Sequence, residues 1–490
     1  MKFRLRTLAF LAVLAPVSFA PIPFTPAALA EGLPDLGDAS RIDLPPQLER
    51  RIGESIVNDI RLREPSYIDD PEIAAYLNML GAKLSAAIPE AGQSFEFFAL
   101  RDPTLNAFAL PGGYIGVHSG LILAAQSESE LAGVLSHEIA HVTQKHLARM
   151  MSKQSQAQAA QWLAMAVAVL AARSSSDVGQ AALVAGSAAG VQTMLNYSRD
   201  FEREADRVGI QTLERAGFDV RGMGSFFERL QKFGRLYENN APGYLRTHPL
   251  TLERISDMEN RILQSHYRQV RDSTGFQLVR AKLRATQGDA RDAITEFESQ
   301  LRERKYMSEA AARYGLALAQ MRAGNFPAVE NEVAALRRLK TASPMIDTLA
   351  ADVKKAQGDL NSALSLYREA RVRYPHYKAL IYGQIDALLA NGQAQAALKT
   401  ATEELQLTPS DAILYGWQAK SYAALGKRLQ QHRAQAELYV LQGQLAAAVE
   451  QLELAQKAED GDFFEHSQAD ARLRELRARL IDEMREKQQQ

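Results

Sequence analysis

Residues 127–147 read SESELAGVLSHEIAHVTQKHL. Leu131, Val134, Leu135, Ile139, Val142 and Leu147 recur at helical spacing, and Ser127 opens a capping box with Glu130, so the pattern predicts a helix starting near residue 128. On such a helix His137 and His141 are offset by roughly 40° and project from one face about one turn apart. That geometry suits two corners of a zinc tetrahedron. Glu138 stands beside the first ligand, placed to act on water as a general base without occupying the metal. The plain alternative is a buried helix whose two histidines are satisfied by hydrogen bonds, so the rest of the chain has to discriminate.

A hydrolytic zinc site needs a third protein ligand and an open fourth position. The chain has no cysteine in 490 residues, which excludes thiolate ligands, disulfides and a cysteine-borne lipid and leaves histidine and carboxylate to hold any metal. The best further stretch is NYSRDFEREAD, residues 196–206. Glu202 and Asp206 are four apart and share a helix face, whereas Glu204 is turned roughly 200° from Glu202. The pairing favours Glu202 as a ligand and Asp206 as the carboxylate that orients a zinc-bound imidazole. His146, roughly 140° around the same helix from His141, is not expected on that metal.

His137-Glu138-x-x-His141, with Ser198-Arg199 and Glu202-x-x-Ala205-Asp206 some sixty residues on, resembles the zinc metallopeptidase family that includes the CAAX prenyl endopeptidase and the heat-shock membrane protease HtpX. The resemblance implies one Zn2+ per chain on His137, His141 and Glu202, with Glu138 catalytic. It implies two further roles. Asn106, Ala107, Phe108 and Ala109, the first strand of an expected hairpin running through Pro111-Gly112-Gly113 to Tyr114–His118, become substrate contacts. His248, in Thr247-His248-Pro249, approaches the zinc, either filling its open position or stabilising an oxyanion.

The chain begins with Lys2, Arg4 and Arg6, an apolar run from Leu8 to Ala15, and Ala28-Leu29-Ala30, which read as a signal peptide cleaved near Ala30. Four prolines break the run short of a membrane span. Cleavage removes three basic residues and takes the formal charge from -1 to -4, so no basic field for nucleic acid remains. After a linker at 31–47, a zinc metallopeptidase domain is expected over 48–268. Within it, residues 152–196 carry two apolar stretches, Trp162–Ala172 and Ala181–Val191, that read as a lid or plug or as a peripheral membrane or partner contact. From residue 270 glycines recur at 288, 324, 358, 392 and 426, spaced 36, 34, 34 and 34 apart, which resembles tetratricopeptide repeats over 270–458, followed by a C-terminal helix and tail at 459–490.

The expected architecture is mainly α: an HExxH zinc metalloprotease domain with a small β-hairpin or sheet, then a repeat solenoid. The resemblance to the exported, repeat-bearing branch of the family implies a periplasmic endopeptidase for unfolded or stalled outer-membrane beta-barrel proteins. The beta-barrel assembly machinery and lipopolysaccharide-transport components are its implied partners. A repeat-based chaperone or scaffold with a latent zinc site is the alternative.

Overall fold

A computed structural model of the chain describes residues 45–88, 92–153, 199–236 and 243–488. The expected leader at 1–30 and the apolar stretches Trp162–Ala172 and Ala181–Val191 lie outside the described residues. Among the described residues no helix is long and apolar enough to cross a membrane.

The architecture is mainly helical with one small sheet. Helix α1 (Pro46–Arg63) is followed by α2 (Pro71–Ser85), whose N-cap Asp70 accepts from the N–H groups of Glu72 and Ile73. Strands β1 (Glu96–Leu100), β2 (Ala107–Leu110) and β3 (Tyr114–His118) form a sheet in the order β1-β3-β2. The expected hairpin is β2 against β3, antiparallel with Phe108 opposite Gly116; β1 adds in parallel on the other side of β3. A short helix α3 (Ser119–Ala124) leads to α4 (Glu128–Thr143), the motif helix.

Ser127 Oγ accepts from the Glu130 N–H at 3.3 Å, as the capping box requires. The Glu130 carboxylate, however, reaches back to the N–H of Gln126 rather than to the cap residue itself. Every residue from Glu128 to Val142 is buried, so α4 is a central helix with no solvent face. The sheet covers one side through β2, and α6 (Arg199–Arg215) and α7 (Arg221–Leu236) cover others. Helix α6 comes close because Gly209 faces the backbone of His137; a Cβ there would sit 3.2 Å from the His137 Cα. That crossing sets Glu202 and Asp206 opposite the histidines. Helices α5 (His146–Lys153), α8 (Gly243–Thr247) and α9 (Leu252–Gln264) are the other helices of this half among the described residues.

From Thr274 the chain is a succession of helix pairs: α10 (Thr274–Thr286) and α11 (Ala290–Glu303), α12 (Glu309–Arg322) and α13 (Phe326–Arg338), α14 (Pro344–Ala356) and α15 (Leu360–Arg373), α16 (Lys378–Ala390) and α17 (Ala394–Leu407), α18 (Ala412–Ala424) and α19 (Arg428–Leu441). The periodic glycines lie inside these pairs, each with positive φ between 61° and 82°. A Cβ at any of the five would meet nothing within 4 Å, so the backbone angle rather than space calls for glycine. Pro344 opens α14, while Pro375 and Pro409 fall in the opposite turns. Gly443, at φ 70°, turns the chain into α20 (Leu445–Gln456), and the long α21 (Phe463–Gln488) ends the array. The C-terminal half is thus a helical repeat array of the tetratricopeptide kind.

The two halves share one hydrophobic core, which runs from Ile68 and Tyr76 through the motif helix to Phe276, Leu316 and Val353. Polar contacts staple the junction. Lys282 Nζ reaches both Asp70 and Glu72, Tyr314 donates to Glu72, and Ser273 donates to the buried Glu128.

Candidate metal centre

Helix α4 holds His137 and His141 with their Nε2 atoms 3.0 Å apart. Glu202 comes from α6: its Oε2 is 3.5 Å from His137 Nε2 and its Oε1 3.4 Å from His141 Nε2. His248 follows α8 immediately, its N–H donating to the Tyr244 carbonyl. It turns Nδ1 inward, 3.4 Å from His137 Nε2 and 3.0 Å from Glu202 Oε1. All four side chains are buried, and one ligand atom from each falls within 4.8 Å of the others.

These separations test whether zinc fits. A tetrahedron with metal–ligand bonds of ~2.0–2.1 Å has edges of roughly 3.3 Å, and the separations between 3.0 and 3.5 Å bracket that value. Imidazole nitrogens and a carboxylate make up the donor set expected without cysteine. Protonation states agree. Burial drives the His141 pKa well below its usual value, which keeps its lone pair available. Burial alone would raise Glu202, but His248, His137 and His141 outweigh it and hold the carboxyl ionised. Burial would likewise lower His137, yet Asp206 and Glu202 reverse this and raise it to about 9; a cation would replace that proton. The residues fit zinc.

Asp206 Oδ1 lies 3.0 Å from His137 Nδ1, behind the ligand, although off the ring's N–H axis. Glu138 is fully buried with neither oxygen in a hydrogen bond of ordinary geometry. His248 Nε2 is 3.6 Å from Glu138 Oε1, the Tyr244 hydroxyl is nearby, and burial raises the Glu138 pKa. Asn106 is buried with an unpartnered Oδ1, and Ala107, Phe108 and Ala109 are buried in β2, the strand that packs on α4. The preceding residue, Leu105, accepts at its carbonyl from the Tyr244 N–H, which ties the head of this strand to the segment carrying His248.

Sequence reasoning missed three neighbours. Arg254, almost wholly buried, grips Asp206 with Nε and Nη2 at 2.7 and 2.8 Å, and its Nη1 lies 2.7 Å from Glu202 Oε2 and 2.8 Å from the Pro249 carbonyl. A signal was present, because Arg254 is four residues before Met258 on the apolar face of α9. Tyr244 stacks on the His248 ring, centroids 4.5 Å apart. His146 stays outside the donor set, yet it touches His141 through the nitrogen remote from that set, because α4 does not continue to it. His118 sits away from the centre beside Thr104 and Asp102.

An HExxH helix whose histidines meet a glutamate from a later helix, inside a mainly helical domain, defines a zinc metalloendopeptidase. Residues 71–262 match the sequence profile of Peptidase family M48. The beta-barrel assembly-enhancing protease of Escherichia coli (strain K12) is 32% identical over 449 residues, covering 91% of this chain and 92% of its own. The putative beta-barrel assembly-enhancing protease of Vibrio cholerae is 32% identical over 478 residues, 97% of each. The chain belongs to peptidase family M48, in the group of the beta-barrel assembly-enhancing proteases. A solved tetratricopeptide repeat protein from Parabacteroides merdae aligns over 56% of this chain and 91% of its own at 13% identity and a TM-score of 0.27. The repeat character rests on the helix pairs and glycine turns described above.

Proposed function

We propose that this metalloendopeptidase is exported to the periplasm and cleaves misassembled or stalled outer-membrane beta-barrel proteins, with the repeats recruiting clients or the assembly and lipopolysaccharide-transport machinery. The names carried by its full-length relatives support that client class, and the leader-like first thirty residues support export. One zinc per chain is assigned to His137, His141 and Glu202. Bound there, zinc supplies a Lewis acid that polarises the scissile carbonyl and acidifies water.

The chain's own residues do the rest. Glu138, buried beside the donors with its pKa raised, accepts a proton from water and returns it to the departing amine. Asp206 steadies His137, and Arg254 keeps Asp206 ionised and holds both Asp206 and Glu202 in place. Asn106 to Ala109 offer an extended edge for client backbone.

The observation that carries the reading is a four-donor set of metal-site dimensions beside a buried Glu138 whose oxygens make no hydrogen bond of ordinary geometry. The fourth donor, His248 Nδ1, occupies the position that water needs, so we assign His248 as the residue that holds the enzyme latent. A set closed by four protein donors is also what a structural zinc site has, and this favours the repeat-based scaffold as the second reading. Zinc content and cleavage of an unfolded outer-membrane protein separate the two. One zinc per chain, no cleavage by Glu138→Gln and faster cleavage by His248→Ala support the latent protease. Zinc without cleavage in any form supports the scaffold.

A further inference from the structure

Helix α4 stops at Thr143, and Lys145 takes a left-handed conformation with φ 52° before α5 starts at His146. The break swings the fully buried His146 back beneath His141, with the two Nδ1 atoms 3.0 Å apart. The opposite nitrogen, His146 Nε2, is 3.2 Å from Glu204 Oε2, and Arg149 Nη1 donates to the same carboxylate at 2.8 Å. Phe201 stacks flat on the His146 ring, centroids 4.6 Å apart and planes 16° off parallel. A ring clamped in this way directs one nitrogen to His141 and the other to Glu204.

We propose that His146 is a positioning residue for the metal centre, fixing the tautomer and ring angle of His141 through a chain that runs His141, His146, Glu204. The inference rests on the zinc reading. A cation in the donor set takes the lone pair of His141 Nε2 and leaves that ring's proton on Nδ1. This N–H faces His146 Nδ1, which must therefore be the acceptor. The His146 proton then sits on Nε2 and donates to Glu204. With the opposite tautomer of His146, two N–H groups would collide at 3.0 Å. His137 is backed directly by the carboxylate of Asp206, whereas His141 is backed by a neutral ring that relays to a carboxylate. The Glu204 side chain keeps 26% of its surface exposed, so the outer end of this relay lies at the protein surface.

The test measures zinc affinity of the full chain by competition with a chromophoric chelator, together with the visible spectrum of the Co2+-substituted protein. His146→Phe keeps a ring on Phe201 and removes both nitrogens. Its zinc Kd is expected to rise ~10–100-fold, with shifted Co2+ bands. His146→Gln carries an acceptor and a donor and is expected to recover most of that loss, and Glu204→Ala to show a smaller loss than His146→Phe. Zinc affinity of His146→Phe within about threefold of wild type, with unshifted bands, overturns the proposal, because it lies below the range expected for losing such a partner. So does an equal loss in the Phe and Gln variants, which marks a packing role. Should His146→Phe fail to fold, Glu204→Ala decides alone, and wild-type affinity and spectrum in it refute the relay. A wild-type chain that takes up no zinc refutes the metal reading itself, which is a distinct result.

Discussion

The motif helix α4 and the repeat helices α10 to α19 are both regular helices, yet they tolerate change very differently. Helix α4 is buried all round, and its two motif histidines have particular counterparts brought from far along the chain: Asp206 behind His137, Glu202 between the histidines, His248 beside them. The repeat helices bury a stripe against their neighbours, and the demanding positions in their turns are glycines that answer only to a backbone angle. In the first region the partner is non-local and chemical. In the second it is the adjacent helix and mostly apolar, so errors there are expected to be graded and additive.

The comparison is broken most severely by Glu138→Gln. This change is expected to lower the cleavage rate by about 10²–10⁴-fold with zinc retained, the usual range for losing a general base. Cleavage near the wild-type rate would remove Glu138 from the chemistry. Arg254→Ala comes next. It takes from the buried Asp206 its bidentate partner and from Glu202 its guanidinium contact, at a cost of about 3–5 kcal/mol. Denaturant unfolding should report that loss and metal titration a weaker site; an unchanged midpoint would mean that the two carboxylates find other partners.

The junction offers an intermediate case. Lys282→Met leaves Asp70 and Glu72 without their shared cation where α10 meets α2. A loss of about 1–3 kcal/mol, with zinc affinity unchanged, is expected from thermal melts read beside metal titration. Weaker zinc binding would instead show that the repeats reach the metal centre energetically. Smallest is Gly358→Ala, which forces an L residue to φ 82° and should cost about 1 kcal/mol. Measured equality between this substitution and Arg254→Ala would erase the contrast between the two regions.

How much was legible in advance follows from the same contrast. The 34-residue glycine period announces the repeats because each turn is a local requirement repeated at fixed spacing. His137, Glu138 and His141 were readable because four residues on one helix already define their relative directions. Glu202 and Asp206 needed a second helix, and their shared face was readable while their distance from α4 was not. Arg254 and Tyr244 were not read as site residues: His248 between them was expected near the zinc and Arg254 lies on the apolar face of α9, but which of their atoms meet the site depends on how α8 and α9 pack. His146 was expected off the metal and does not join the donor set, but its contact with the back of His141 was not foreseen because the reading continued α4 past its end; Lys145, with its left-handed φ, carries no strong breaker signal.

By itself, then, the sequence determined what local geometry and chemistry can specify: a zinc-type histidine pair with a glutamate beside it, a mainly helical chain, and a repeat array in its C-terminal half. Only the tertiary structure decided that His248, expected near the zinc, turns Nδ1 into the donor set, that one guanidinium ties Glu202, Asp206 and the His248–Pro249 segment together, and that the two halves share a core. The physical reason is range. Helical phase carries information over a few turns, whereas the approach of α6, α8 and α9 to α4 depends on close packing summed over the whole interior.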